Sequence, residues 1–293
     1  MKHSSFLVVG GSGFVGRHLV AALAARGASV VVPTRRRERA KHLILLPTVD
    51  VVEADARDAR TLAALARGCD AVVNLAGILH GPGFNLAHVE LAQAVVNACR
   101  LAGIKRLLHM SALGADPFAP SEYLRSKGLG EQAVLAADDL EATVFRPSVI
   151  FGPEDRFLNL FAKLAAFSPV LALAALESRA HLSDTGGKRY DLCGPHEYTL
   201  RELMQFVCAV TGRRRLIVGL PDGVAWLQAW MMEWLPVKLL TRDNLRSMRV
   251  PSVSGNEFPF GIRPAALQAT APAWLASAAM RERYDELRWR ARR

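Results

Sequence analysis

An α/β fold built on a doubly wound parallel sheet is what this sequence predicts, on two observations. Short β-branched runs alternate with Ala/Leu-rich segments through about residue 150, and the runs are apolar almost throughout, as strands are when helices cover both faces of a parallel sheet. A glycine-rich turn stands between the first run and the first Ala/Leu-rich segment, in "VVGGSGFVGRHLV", where a strand gives way to a helix.

The elements follow in order. "FLVVG", "SVVVPT", "VDVVEA", "AVVNLAG", "IKRLLHMS" and "ATVFRPSVI" read as strands, each short, apolar and rich in valine or isoleucine. Between them "FVGRHLVAALAARG", "RRERAKHLILL", "DARTLAALARG", "LAHVELAQAVVNACRLAG" and "SEYLRSKGLGEQAVLAA" read as helices, several stopping at glycine. Residues 1–150 thus form the expected dinucleotide-binding half. Residues 151–293 form a smaller, mixed substrate or partner region interleaved with it. There the pattern loosens into helical stretches from Asp155, Thr199 and Asp222, weak strands at "RYDLCG" and "RLIVGL", and a Pro/Gly-rich stretch, "VPSVSGNEFPFGIRP".

Composition excludes several classes. The 293 residues carry a net charge of +10, but residues 1–150 hold 17 basic against 13 acidic side chains and residues 151–293 hold 20 against 14. The excess is spread rather than massed, so no nucleic-acid partner is expected. Cys69, Cys99, Cys193 and Cys208 stand far apart, without a C-x-x-C pair or a histidine at ligand spacing, so neither a disulfide framework nor a metal site is expected. A reducing cytoplasm fits this cysteine usage. The amino terminus lacks the apolar stretch of a signal peptide. The longest uncharged apolar run, Leu164 to Leu176, contains Pro169 and is 13 residues long, too short to span a bilayer.

The chemistry begins at Gly10, Gly13 and Gly16. Glycines at this spacing allow a tight turn and let the backbone approach a pyrophosphate, whose charge the helix amino terminus attracts. With Ser12, Phe14 and Val15 they form the candidate phosphate cradle of a Rossmann-type fold. The second strand ends in Thr34, Arg35 and Arg36, without the acid that would bind an adenosine 2′-hydroxyl. Arginine there accommodates a 2′-phosphate, so NADP(H) is the preferred cofactor and NAD(H) the second. Asp55 ends the third strand, suitably placed for an adenine contact. Leu75, Ala76 and Gly77 end the fourth, where small residues leave room for the cofactor.

Ser111 closes the fifth strand, and Tyr123 and Lys127 follow four apart on a predicted helix, facing one side. A phenol titrating near 10 is a poor base at neutral pH, and a neighbouring ammonium favours its ionised form. This ordered set resembles the short-chain dehydrogenase/reductase superfamily. The resemblance implies that Tyr123 exchanges a proton with substrate, that Lys127 lowers its pKa and binds the nicotinamide ribose, and that Ser111 orients a carbonyl.

"YLRSKGLGE", "FRPSVIFGPEDRFLNLFA", "LTRDNLRSM" and "RERYDELRWR" are further similar to the atypical members related to the NAD(P)-binding accessory subunit of mitochondrial respiratory complex I. This implies that Arg146, Pro147 and Ser148 line the nicotinamide end, and that the chain serves a respiratory complex. It also implies a further strand and helix between "FSPVLAL" and "RYDLCGP", where this sequence has "AALESRAHLSDTGG".

The residues fit two functions. One is an NADP(H)-dependent oxidoreductase or epimerase-like enzyme acting on a small-molecule carbonyl or hydroxyl. The other is a subunit that holds the cofactor without turnover. His18 and His88 are expected to be packed or solvated, while His109 shares the strand face of Ser111. Glu154, Asp155 and Arg156 are expected as a solvated helix cap, with paired charge near the cofactor as the alternative. Trp226, Trp230 and Trp234 recur every four residues, a stripe whose default reading is core packing and whose alternative, given the nearby arginines, is reversible peripheral docking on the anionic inner membrane or on a membrane complex.

Overall fold

The computed structural model describes residues 4–155, 157–174, 179–180, 189–234, 240–252, 254, 258–276 and 288. Two compact units divide the chain between Pro147 and Ser148, and Arg189 and Tyr190 return to the first.

The first unit is the alternation that the sequence predicts: β1 Ser5–Val9, α1 Phe14–Ala25, β2 Ser29–Thr34, α2 Lys41–Ile44, β3 Val49–Glu53, α3 Ala59–Ala66, β4 Ala71–Asn74, α4 Leu91–Ala102, β5 Arg106–Met110, α5 Glu122–Leu135 and β6 Glu141–Pro147. The strands lie in the order β3-β2-β1-β4-β5-β6, with Arg189–Leu192 as a seventh beside β6. The pairings from β3 across to β6 are all parallel. Chain order reverses between β1 and β4, which makes the sheet doubly wound and Rossmann-type.

Successive residues of β1 face opposite sides of this sheet. Leu7 and Val9 join Leu62, Val95, Cys99 and Leu107 in one core. Val8 joins Val20, Val30 and Leu43 in the other. Both faces are covered, which is why the strands read as unbroken apolar runs.

Two predicted helices change character. The segment after β2 becomes a 3₁₀ turn, Arg37–Ala40, followed by the four-residue α2. The fourth helix opens as a π turn, Leu86–Glu90, before α4 begins. A π turn of this kind commonly marks a functional site.

In the second unit, α6 Leu158–Phe167 is followed by β7 Val170–Leu173, which runs parallel to Leu216–Gly219. Arg179–Ala180 is a two-residue strand, antiparallel to Tyr198–Thr199. We number these β8 Arg179–Ala180, β9 Arg189–Leu192, β10 Tyr198–Thr199 and β11 Leu216–Gly219. The rest of the interval in which the resemblance implied a further strand and helix, residues 175–178 and 181–188, lies outside the described residues.

α7, Leu200–Val210, starts at Thr199, whose hydroxyl and the Glu202 carboxylate cap each other's backbone amides. α8 Asp222–Met232 and α9 Arg242–Met248 follow, and residues 267–276 are helical. Leu158, Phe161, Met204, Val207, Leu267 and Leu275 make the core of this unit. Asp155 is buried rather than solvated; its carboxylate accepts from the amides of Gly152, Phe157 and Asn159.

Candidate dinucleotide and proton-transfer site

The loop from β1 into α1 gives the site its first part. Gly10 has φ +80°, and a Cβ there would lie 2.8 Å from the amide nitrogen of Ala76, so the turn requires glycine for both conformation and space. A Cβ at Gly16 would run into the Gly10 carbonyl. Gly13 is the N-cap of α1 and brings no side-chain cap, and no acid stands in the first turn. The amides of Phe14 and Val15 therefore begin a helix end suited to an anion. A backbone cradle that any side chain would fill, open at a helix amino terminus beside Ser12, fits a dinucleotide pyrophosphate.

At the end of β2, Thr34 is buried and its hydroxyl donates to the Arg36 carbonyl at 3.2 Å, while Arg35 and Arg36 are exposed. Asp55 lies beyond β3, and its carboxylate is held by Arg57, whose Nε donates at 2.9 Å and whose backbone amide donates at 3.0 Å. The Arg57 side chain first, and then its amide, pull the Asp55 carboxyl down to about 2. Asp55, expected as an adenine contact, thus already has an ionic partner.

The second part lies where β4 and β5 meet α5. Lys127 is 6% exposed, and its Nζ donates to the Met110 carbonyl at 3.0 Å, one residue before Ser111. Burial lowers Lys127 to about 8. A Cβ at Gly77 would stand 3.0 Å from that same Nζ, so the end of β4 is brought against Lys127. Leu75 is fixed by its amide bonding Val9, and Ala76 by its amide bonding the Asn74 side chain.

Ser111 is 2% exposed, and its Oγ has no hydrogen-bond partner among the described residues. Such an orphaned buried hydroxyl calls for explanation, and a group bound beside it is one.

Tyr123 packs edge-on to His88 and Phe84, with ring centroids at 5.7 and 6.1 Å. Burial pushes its phenol up to about 12. The depression by Lys127 that the resemblance implied is not found: desolvation raises the phenol and lowers the ammonium.

Three further groups shape this part of the site. His88, in the π turn, is buried, and burial first and Lys127 second hold it down near 3. Its Nε2 accepts from the Ile78 amide at 3.1 Å. The neutral ring therefore carries its proton on Nδ1 and donates to Ser126 Oγ at 2.8 Å, and Ser126 donates to the Tyr123 carbonyl at 2.9 Å.

Asn74 is the second. Its Oδ1 takes the Ala76 amide, so its Nδ2 donates to His109 Nδ1 at 3.2 Å. This leaves Nε2–H of His109 buried without a partner among the described residues.

Glu131 is the third, and it claims the arginine expected at the nicotinamide end. Arg146 donates to it through Nε and Nη2, and Arg189 adds a contact at 2.6 Å. Glu131 stands four residues after Lys127, on the inward face of α5, and that spacing was a readable signal. Pro147 ends β6 in the first unit, whereas Ser148 belongs to the second, where its hydroxyl meets Ser252 at 3.0 Å.

A Rossmann-type sheet with this glycine turn, and with Lys127 held at the end of β5 one residue before Ser111, defines a nicotinamide-dinucleotide-binding class. The chain belongs to the NAD(P)H-binding family, whose model matches residues 10–156. It is 36% identical to a ceramide reductase of Caulobacter vibrioides over 78% of this chain and 77% of that one. It is 29% identical to NADH dehydrogenase [ubiquinone] 1 alpha subcomplex subunit 9, mitochondrial, of Mus musculus, over 96% of this chain and 81% of that one. An NADPH-dependent quinone oxidoreductase of Escherichia coli shares the fold, with a TM-score of 0.72 at 18% identity over 94% of this chain and 99% of that one.

Proposed function

We propose that this protein is an NADP(H)-dependent oxidoreductase that reduces a carbonyl, with Tyr123 as proton donor, Ser111 as carbonyl ligand and Lys127 as their electrostatic partner. The observation that carries this reading is the junction at the end of β5, where the Met110 carbonyl holds Lys127 and the next residue presents the unpartnered Ser111 hydroxyl. The reduced nicotinamide supplies the hydride. Ser111 donates a hydrogen bond to the carbonyl oxygen and polarises it. Tyr123 then gives its proton to that oxygen as negative charge develops. Burial raises the phenol to about 12, so Tyr123 is protonated at neutral pH and has a proton to give. Lys127, lowered to about 8, is still largely cationic at pH 7 and stabilises the phenolate left behind.

The phosphate end follows the same physical logic. Gly10 to Gly16 and the start of α1 take the pyrophosphate, and the exposed Arg35 and Arg36 take a 2′-phosphate. Arg146, Pro147 and Ser148 are proposed toward the nicotinamide, with Arg146 oriented by Glu131. The ceramide reductase likeness directs the substrate search to ceramides as well as small carbonyls.

The test is NADPH consumption over such a panel by wild type and by Tyr123→Phe. Turnover in wild type, lost in the variant with NADPH affinity kept within about twofold, is the expected result. The likeness to the mitochondrial subunit over 96% of the chain favours a second reading, in which the same residues hold the cofactor for an assembly. No turnover on any substrate, with NADP(H) retained through purification, would select it.

A further inference from the structure

α8 is apolar on both sides. Ala225 and Ala229 are buried and pack with Leu245 and Leu240, so one side of the helix is covered within its own unit. The other side is bare. Val224, Leu227, Trp230, Met231 and Trp234 are 49, 54, 46, 53 and 79% exposed. Their spacing of three, three or four, and three or four residues keeps them on one face of α8 and the turn after it. Trp230 and Trp234 stand edge-to-face at 6.3 Å. Singly exposed apolar residues are ordinary, but five on one helical face mark a contact surface.

We infer that this face docks on an anionic lipid bilayer. Between Asp222 and Glu233 the helix has no charged residue, so nothing on the stripe repels a headgroup layer. Both acids are paired from α9 and its C-cap: Arg249 Nη2 meets Asp222 at 3.0 Å, and Arg242 Nη2 meets Glu233 at 2.9 Å. Arg242 and Arg246 stack over Trp226 at 5.6 and 5.4 Å, and Arg246 has no carboxylate partner among the described residues. The chain as a whole carries +10.

An apolar stripe rich in tryptophan and flanked by arginine matches the physics of the bilayer interface. Indole rings settle at headgroup level, and cations gain from the negative surface. At 11 residues, α8 would lie in the interface rather than cross it, and no described helix is long and apolar enough to cross a membrane. This docking is independent of turnover at Tyr123.

The experiment uses the full chain without cofactor or substrate, sedimented with vesicles of phosphatidylcholine alone or mixed with phosphatidylglycerol. Wild type is expected to sediment with the anionic vesicles at low salt and to shift its tryptophan emission to the blue. Trp230→Ser/Trp234→Ser, both at exposed positions, is expected to lose about tenfold or more in partitioning while its NADPH affinity is unchanged. Three results would overturn the inference. One is no association with anionic vesicles. Another is association that the double variant keeps. The third is a dimer in sedimentation equilibrium that the double variant dissociates, which would make the stripe a contact between copies.

Discussion

Glu131 and Arg146 form a two-pronged ion pair across α5 and β6, Nε to Oε2 at 2.8 Å and Nη2 to Oε1 at 2.6 Å, with the glutamate side chain 1% exposed. The arginine is 23% exposed and Arg189 is 46% exposed, so both cations keep some water while the anion keeps almost none. The asymmetry decides which deletion is worse. Glu131→Gln leaves two guanidinium groups facing each other without their shared anion and should cost about 3 kcal/mol, whereas Arg146→Met leaves Arg189 in place and should cost nearer 1 kcal/mol. Urea denaturation of the two variants measures the order, and equal losses would count against it.

Arg35 is expected to distinguish the two nicotinamide cofactors. A charge-assisted bond to a 2′-phosphate is worth about 1.5–3 kcal/mol, so NADPH should bind about tenfold or more tighter than NADH, and Arg35→Ala should remove most of that margin. Titration calorimetry with both cofactors reads it directly, and equal affinities in wild type would refute it.

Lys127 should leave a signature in the pH dependence of stability. Its pKa falls from 10.5 to about 8 on burial, so between those values the unfolded chain binds more protons than the folded one. By linkage, this group makes stability rise with pH across that window. Tyr123 and the thiols of Cys69, Cys99 and Cys208, all raised by burial, act in the opposite sense from about pH 9 upward. The clean measure is therefore the stability of wild type minus that of Lys127→Met, which should increase from pH 7.5 to 10.5. A flat difference would mean that the ammonium is not desolvated.

Gly10→Ala should damage the phosphate turn more than the fold. The added methyl meets the backbone at Ala76 2.8 Å away and adopts a φ of +80°, a combined strain of about 2 kcal/mol or more. The turn can relieve it only by moving. NADPH affinity should drop by about tenfold or more, with far-UV circular dichroism unchanged, and an unaltered affinity would place the pyrophosphate elsewhere.

Much of this was legible in the sequence because it is local. The valine runs gave the strands, and the strand–glycine turn–helix order gave the fold class. Ser111, Tyr123 and Lys127 stood out through spacing along one strand end and one helix. What escaped depends on distance along the chain. Glu131 gathers Arg146 and Arg189, residues 15 and 58 positions away, and no local pattern announces that meeting. His88 read as an ordinary helical histidine because a π turn has no composition of its own.

The tryptophans show the opposite error, a pattern taken too literally. Four residues advance an α-helix about 40° beyond a full turn, so the row winds off the covered face. Trp226 is partly buried, while Trp230 and Trp234 are exposed, against the default expectation of core.

The division of the chain at Pro147 has a consequence for how such a protein can diversify. Every candidate group from Gly10 to Pro147 belongs to the first unit, and Ser148 alone falls in the second. The candidate groups are thus written in one nearly continuous stretch of sequence, and of the residues after Ser148 Arg189 is tied to them, through Glu131. A chimera that joins residues 1–147 of this chain to the corresponding remainder of a relative would reveal which partner travels with which half.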